Sequence, residues 1–234
     1  MTLVAIHQPN YVPWLGYFRK IAETDVFVLL DDVQFPKGSY TNRVQILANG
    51  APRWLSIPTA ARLGEAINQT RPARDDWVPA HLDAMRTFYG SATSFADAWP
   101  RVRDIYQSIP RGSLADINRH LILAVADTLA LGTQFLQSSQ IQVAPDLRSD
   151  DRLVALVAAI DPRGSYVSGK GGAKYQDPAK FAAAGLGFRY TDFRHPQYAQ
   201  GAAPFVAGLS VLDAVFWLGW QPTAQLIAHA GDPA

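Results

Sequence analysis

Apolar residues form two short unbroken runs near the N-terminus, Leu3 to Ile6 and Val26 to Leu30. The first ends on His7 and the second on Asp31 and Asp32. Runs this short, without polar alternation, predict strands buried on both faces, as in a parallel sheet. Between them Leu15, Phe18 and Ala22 recur at helical spacing with Ile21 beside them, while Tyr17 and Lys20 occupy the other side. Strand, helix and strand within about thirty residues is the length of one crossover unit. Three helical stretches follow, Trp77 to Tyr89, Ala96 to Ile109 and Leu114 to Leu131, separated by Gly, Ser and Pro. They read as a helical insertion over about residues 77–131.

Strand and helix then alternate again. Gln134 to Gln137 reads as a weak strand, Asp151 to Ile160 as a helix and Ser165 to Ser168 as a strand; Pro178 to Ala184 then reads as a helix and Phe188 to Phe193 as a strand. Such alternation predicts an α/β fold, a doubly wound and mostly parallel Rossmann-like sheet carrying the helical insertion. The last predicted helix, Val211 to Leu218, has an apolar face of Leu212, Val215, Phe216 and Gly219. No repeat or low-complexity tract interrupts the pattern, so one domain over residues 1–234 is expected.

Composition narrows the partners. With 21 basic and 20 acidic residues the formal net charge is +1, so no global field draws in nucleic acid or an anionic membrane. An anionic partner has to be held by a local cluster. The absence of cysteine excludes disulfides, a thiol nucleophile and thiolate zinc sites, and no metal or cofactor is expected. No apolar run approaches the roughly 20 residues of a membrane span, and no signal-peptide pattern opens the chain, which makes the cytoplasm the expected compartment. The sequon Asn68-Gln69-Thr70 then reads as a coincidence.

The candidate chemistry gathers at strand ends. His7, Gln8, Asn10, Tyr11, Trp14 and Tyr17 crowd the turn between the first strand and its helix, where open α/β sheets bind ligands. Pro9 and Pro13 stiffen this turn, and the helix start offers free N–H groups to an anion. Asp31 or Asp32 could orient His7 as a general base, and strand alternation lets only one of them face a given site. Lys37, Asn42 and Arg43 add two cations and an amide suited to an anionic ligand. Downstream, Ser165 to Tyr175 is a strand running into a glycine-rich loop, in which Ser168 and Lys170 could meet a phosphate without matching the P-loop spacing. His195 also follows a predicted strand. Ser210 and Asp213 have capping-box spacing, so Asp213 reads as a helix start and not as a catalytic acid.

These residues carry a resemblance. His7-Gln8-Pro9-Asn10-Tyr11, Pro13-Trp14-Leu15-Gly16-Tyr17-Phe18, Lys20-Ile21, Asp25-Val26-Phe27, Leu30 to Phe35 and Asn42-Arg43 resemble the opening motif of the WbqC-like family. Tyr166-x-Ser168-Gly169, His195-Pro196-x-Tyr198 and Leu209-Ser210-x-Leu212-Asp213 are similar to its later motifs, so the likeness spans almost the whole chain. A departure is Gly38-Ser39-Tyr40, which stands where relatives often carry a bulkier basic and tryptophan-containing run. The resemblance implies a setting among bacterial gene clusters for O-antigen, other surface polysaccharides and some specialised metabolites, and hence small-molecule group transfer.

The leading expectation is therefore an acyl or aminoacyl transferase acting on an amine or a sugar hydroxyl, with an activated donor such as an acyl carrier protein thioester. In it His7 is the base and Asp31 or Asp32 orients it, while Lys37, Asn42 and Arg43 hold donor phosphate or the oxyanion. An alternative is a nucleotidyltransferase, although Trp14-Leu15-Gly16-Tyr17 stands where such enzymes carry His-x-Gly-His. Another is a non-catalytic sugar-binding protein, which the six tryptophans permit.

Overall fold

The computed structural model describes residues 1–174, 176–202 and 204–230, so Tyr175 and the last four residues of the expected domain lie outside the described residues. The chain opens with β1 (Leu3–His7), α1 (Leu15–Ala22) and β2 (Val26–Leu29), then forms a hairpin of β3 (Arg43–Ala48) and β4 (Ala51–Ser56). Three helices follow, α2 (Trp77–Tyr89), α3 (Phe95–Gln107) and α4 (Leu114–Thr128), before β5 (Gln134–Gln137) and α5 (Ser149–Ile160). Next come β6 (Ser165–Ser168), α6 (Pro178–Ala183) and β7 (Gly187–Tyr190), and the chain ends on α7 (Val211–Leu218) and α8 (Trp220–His229).

Five strands make one sheet in the order β5-β2-β1-β6-β7, with every neighbouring pair parallel. The fold is thus α/β and Rossmann-like. Its strands alternate between two cores, as the period of two requires. Ala5, Phe27, Leu29 and Val167 face a large core filled by Phe18 and Ile21 of α1, Met85 and Tyr89 of α2, Leu121 of α4 and Phe216 of α7. Val4, Ile6, Val28 and Tyr166 face a smaller one with Leu156 and Val157 of α5 and Phe181 of α6. Both faces of β2 are therefore dry, which explains its unbroken apolar run.

The central strand β1 sends the chain to β2 on one side, and the later half of the chain returns to β6 on the other. The order reverses between the carboxyl ends of β1 and β6, the place where open parallel sheets leave a crevice. Two elements were not expected from the sequence. The β3–β4 hairpin turns on Asn49 and Gly50, both at positive φ (52° and 76°), the geometry that Asn-Gly favours in a tight hairpin. Helix α8 follows α7 after Gly219 and packs on α1, where the Arg19 guanidinium donates to the backbone carbonyls of Ile227 (3.1 Å) and Ala228. The strand expected at Phe188 to Phe193 is found as Gly187–Tyr190. After Thr191 N–H reaches the Ser168 carbonyl (2.7 Å), the chain leaves the sheet and lays Phe193 on Gly16.

Candidate functional site

A cavity of about 350 Å³ opens in the crevice between β1 and β6. Its first wall is Ile6 and His7 of β1 with Trp14, Gly16, Tyr17 and Lys20 from the start of α1; Tyr166, Ser168, Lys170, Gln176, Thr191 and Phe193 line the side that β6 and β7 lead into. The volume lies in the range of small-ligand sites. No aspartate or glutamate lines it among the described residues.

His7 occupies the end of β1 because the short strand terminates there, and the prolines of the following turn cannot extend the ladder. Its Nδ1 lies 3.0 Å from the Gln8 carbonyl, which can only accept, so Nδ1 carries the proton and Nε2 keeps a lone pair. The edges of Tyr17 (4.9 Å) and Trp14 (6.5 Å) flank the ring, and the Tyr17 hydroxyl donates to the same Gln8 carbonyl at 3.0 Å. Desolvation, then the charge of Lys20, push the ring down to about 3 against the gain from the Gln8 bond, so it is neutral at pH 7.

Lys20 was read as part of the polar side of α1, yet it is only 6% exposed. The reason is tertiary: α1 is covered on two sides, by the large core and by the cavity wall. The Lys20 ammonium makes one long hydrogen bond to the Ile6 carbonyl (3.3 Å) and sits 5.6 Å from the Phe27 ring centre. Burial lowers it to about 7. Sequence reading missed Lys20 as a site residue, although its i, i+3 pairing with Tyr17 on the helix that leaves the turn was the available signal.

Across the cavity, Ser168 is buried and donates to the Oε1 of Gln176 (2.5 Å). The Gln176 amide donates to the Tyr166 hydroxyl (3.1 Å). A Cβ at Gly172 would meet Ser168 Oγ at 2.5 Å and also the Gln176 side-chain amide, so a larger residue there would displace this hydrogen-bonded pair. Gly169 and Gly171 differ, because an added Cβ at either meets nothing within 4 Å and neither has positive φ. Lys170 reaches this rim paired with exposed Asp192. His7, Trp14, Tyr17, Ser168 and Lys170 of the expected residues thus share one cavity.

The remaining expected residues stand elsewhere. Asp31 and Asp32 lie at the same sheet edge as His7, but neither contacts it or lines the cavity. Asp31, 2% exposed, accepts from the Ser139 backbone N–H (3.0 Å), the Ser139 hydroxyl (2.7 Å) and the Gln137 amide (3.1 Å), and its own backbone N–H donates to the Ser138 hydroxyl oxygen (3.2 Å). Asp32 accepts from Ser138 (2.5 Å) and pairs with Arg152 of α5 at 2.5 Å. These carboxylates tie the ends of β2 and β5 together, and the Gln8 carbonyl takes the orienting role expected of them. Lys37 is exposed beside a different hollow, with Gln34 and Thr59. The Asn42 amide donates to the Ile57 carbonyl (3.0 Å), and Arg43 stacks on Trp54 (4.1 Å), the far end of a ring series from Trp14 through Tyr40.

Asn10 and Tyr11 are buried behind the turn, where the Tyr11 hydroxyl bonds His81 Nδ1 (2.7 Å) and the Tyr106 hydroxyl (2.8 Å). Gln8 contributes its carbonyl. His195 is exposed, edge-on to Phe193 at 4.8 Å and outside the cavity lining. Asp213 is fully buried, and its side chain does not close a capping box. It accepts from the hydroxyls of Tyr89 (2.8 Å) and Tyr198 (2.7 Å) and from the Gln200 amide (2.9 Å). Among the described residues no group of three acids or histidines could hold a metal. No helix among them is long and apolar enough to cross a membrane.

The chain is 31% identical over 225 residues to the uncharacterized protein Rv1507c of Mycobacterium tuberculosis, an alignment covering 94% of this chain and 95% of that protein. No solved structure matches it. The model of the WbqC-like protein family matches residues 8–225, from the residue after His7 to the middle of α8. With the match extending over the cavity walls and both halves of the sheet, the chain belongs to the WbqC-like protein family.

Proposed function

We propose that the protein is a group-transfer enzyme that moves an acyl or aminoacyl group from an activated donor, such as a carrier thioester, to an amine or hydroxyl of a small molecule. The observation that supports this reading is His7 on the cavity wall, its Nδ1–H held by the Gln8 carbonyl so that the Nε2 lone pair is the one left for a substrate proton; burial and the Lys20 charge make it a weak base until a bound group offsets them. The acceptor nitrogen or oxygen attacks the donor carbonyl carbon as Nε2 takes its proton, and the carbonyl electron pair moves onto oxygen. Collapse then breaks the carbon–sulfur bond, and the proton passes from His7 to the leaving thiolate. Ser168, Lys170 and the open glycine backbone face the reacting group from the other wall, and Trp14 and Tyr17 pack its apolar parts. A cavity of about 350 Å³ suits a small acceptor and the end of a donor arm, with the bulk of a carrier outside.

The test is His7→Asn, which keeps a hydrogen-bonding side chain and cannot serve as a base. Pathway product from a deletion strain complemented with this variant should fall by roughly 10²-fold or more, with little change in melting temperature. Normal product from a stably expressed variant would remove His7 from the chemistry and favour the non-catalytic binding reading. The nucleotidyltransferase reading is weakened by the cavity itself, where Trp14, Gly16 and Tyr17 occupy the helix start that would need phosphate-steering histidines.

A further inference from the structure

Lysine is almost never buried without a partner charge, because removing an ammonium from water is costly. Lys20 is such a case: it is nearly inaccessible, holds one long hydrogen bond to the Ile6 carbonyl, and shares its cavity with no carboxylate among the described residues. The titratable groups that share the cavity are His7 from β1, Tyr17 from α1, Tyr166 from β6 and Lys170 from the glycine loop. Of the two lysines, Lys170 is already paired with Asp192. The opposite wall carries the complementary feature. At Gly169 and Gly171 neither backbone conformation nor packing calls for glycine, and the missing side chains leave the space open.

Resting on the transfer reading above, we propose that Lys20 is the anion receptor of this cavity, binding a carboxylate or phosphate oxygen of the substrate against the Gly169–Gly171 wall, and that this binding eases proton uptake by His7. After desolvation, the charge of Lys20 is what holds His7 in its neutral form. An anion seated on Lys20 offsets that charge and favours a proton on Nε2. Linkage makes the effect reciprocal: protonation of His7 tightens anion binding by the same factor. The base is thereby strengthened when the substrate is in place, and the empty site does not carry two adjacent cations.

Sulfate is a suitable probe, because its charge is constant over the useful pH range, with acetate as the carboxylate counterpart. Calorimetric titration of the unmodified protein should give sulfate binding at about pH 6 that weakens tenfold or more by about pH 9, as Lys20 loses its proton. The NMR titration of the His7 ring should move upward by about one pH unit or more on saturation with sulfate. Lys20→Met should lose the sulfate affinity by at least about tenfold and raise the His7 titration without any anion. The measurements on the unmodified protein need no variant to fold. Absence of binding of both probes up to about 50 mM, or a His7 titration indifferent to bound sulfate, would overturn the inference. So would full sulfate affinity in Lys20→Met. An unaltered product yield from His7→Asn alongside intact, Lys20-dependent sulfate binding would instead remove the transfer reading and leave the receptor.

Discussion

At the scale of single residues, partners decide which acids and bases can act. His7 ends β1 and Asp31 follows β2 by two residues, but Asp31 accepts from three donors on Gln137 and Ser139, while the Nδ1–H of His7 goes to a backbone carbonyl. A carboxylate held this way is structural. Asp31→Ala leaves buried hydroxyl and N–H donors without an acceptor, which should lower the unfolding free energy in urea by about 2–3 kcal/mol. Product formed per folded molecule should stay within about threefold of the parent. A loss as large as that expected for His7→Asn, in a protein of unchanged stability, would return Asp31 to the catalytic group.

At the scale of elements, α1 and the junction of α7 with α8 govern the shape of the site. Helix α1 places Tyr17 and Lys20 on the cavity, and its Gly16 lets Phe193 approach so closely that a Cβ would meet the ring at 2.7 Å. Helix α8 supports α1 from behind through Arg19 and depends on Gly219, whose φ of 89° and ψ of 171° belong to a region open essentially to glycine alone. Gly219→Ala should therefore cost about 1–3 kcal/mol by chemical denaturation, although its Cβ would meet only ordinary contacts of 3.6 Å and beyond. A cost below about 0.5 kcal/mol would mean that the junction bends freely and that α8 is not held by this backbone geometry.

At the scale of the whole molecule, the buried titratable groups set how stability depends on pH. His7 and His81 are held at about 3 and about 4 in the folded protein, against 6.5 when solvated. Over that interval the unfolded chain binds more protons, so stability falls as pH falls below about 6.5. Lys20 repeats the inequality between about 7 and 10.5, so its share of stability rises with pH across that window. The buried tyrosines Tyr11, Tyr17, Tyr89, Tyr106 and Tyr198 are all raised above 10.0, and they cost stability once the unfolded chain begins to lose those protons. Asp213, raised above 3.8, acts in the opposite sense to the histidines and is outnumbered by them. Thermal unfolding should show its maximum between about pH 7 and pH 10. Lys20→Met should melt at or above the parent at about pH 6 and lose the rise above pH 7, whereas a lower melting temperature at both ends would mark Lys20 as a structural donor.

The sequence by itself determined the sheet and the edge where the site lies. Unbroken runs such as Val26 to Leu30 specify strands dry on both faces, helical spacing specifies what lies between them, and a parallel sheet brings the polar residues after its strands to one edge. His7, Ser168 and Lys170 were legible for that reason. The sequence also carries the hairpin signal, Asn49-Gly50. What the tertiary structure alone decided was which side chains at that edge meet. Strand pairing sets Leu29 opposite both His7 and Gln137, and the Asp31 carboxylate bonds Ser139 and Gln137 on the β5 side, while the crevice opens on the other side of β1. The fold also buries Lys20, since a helix covered on two sides has no solvent face for its polar stripe. Both outcomes depend on contacts between residues far apart in the chain, and local periodicity carries no information about which distant element will cover a given face.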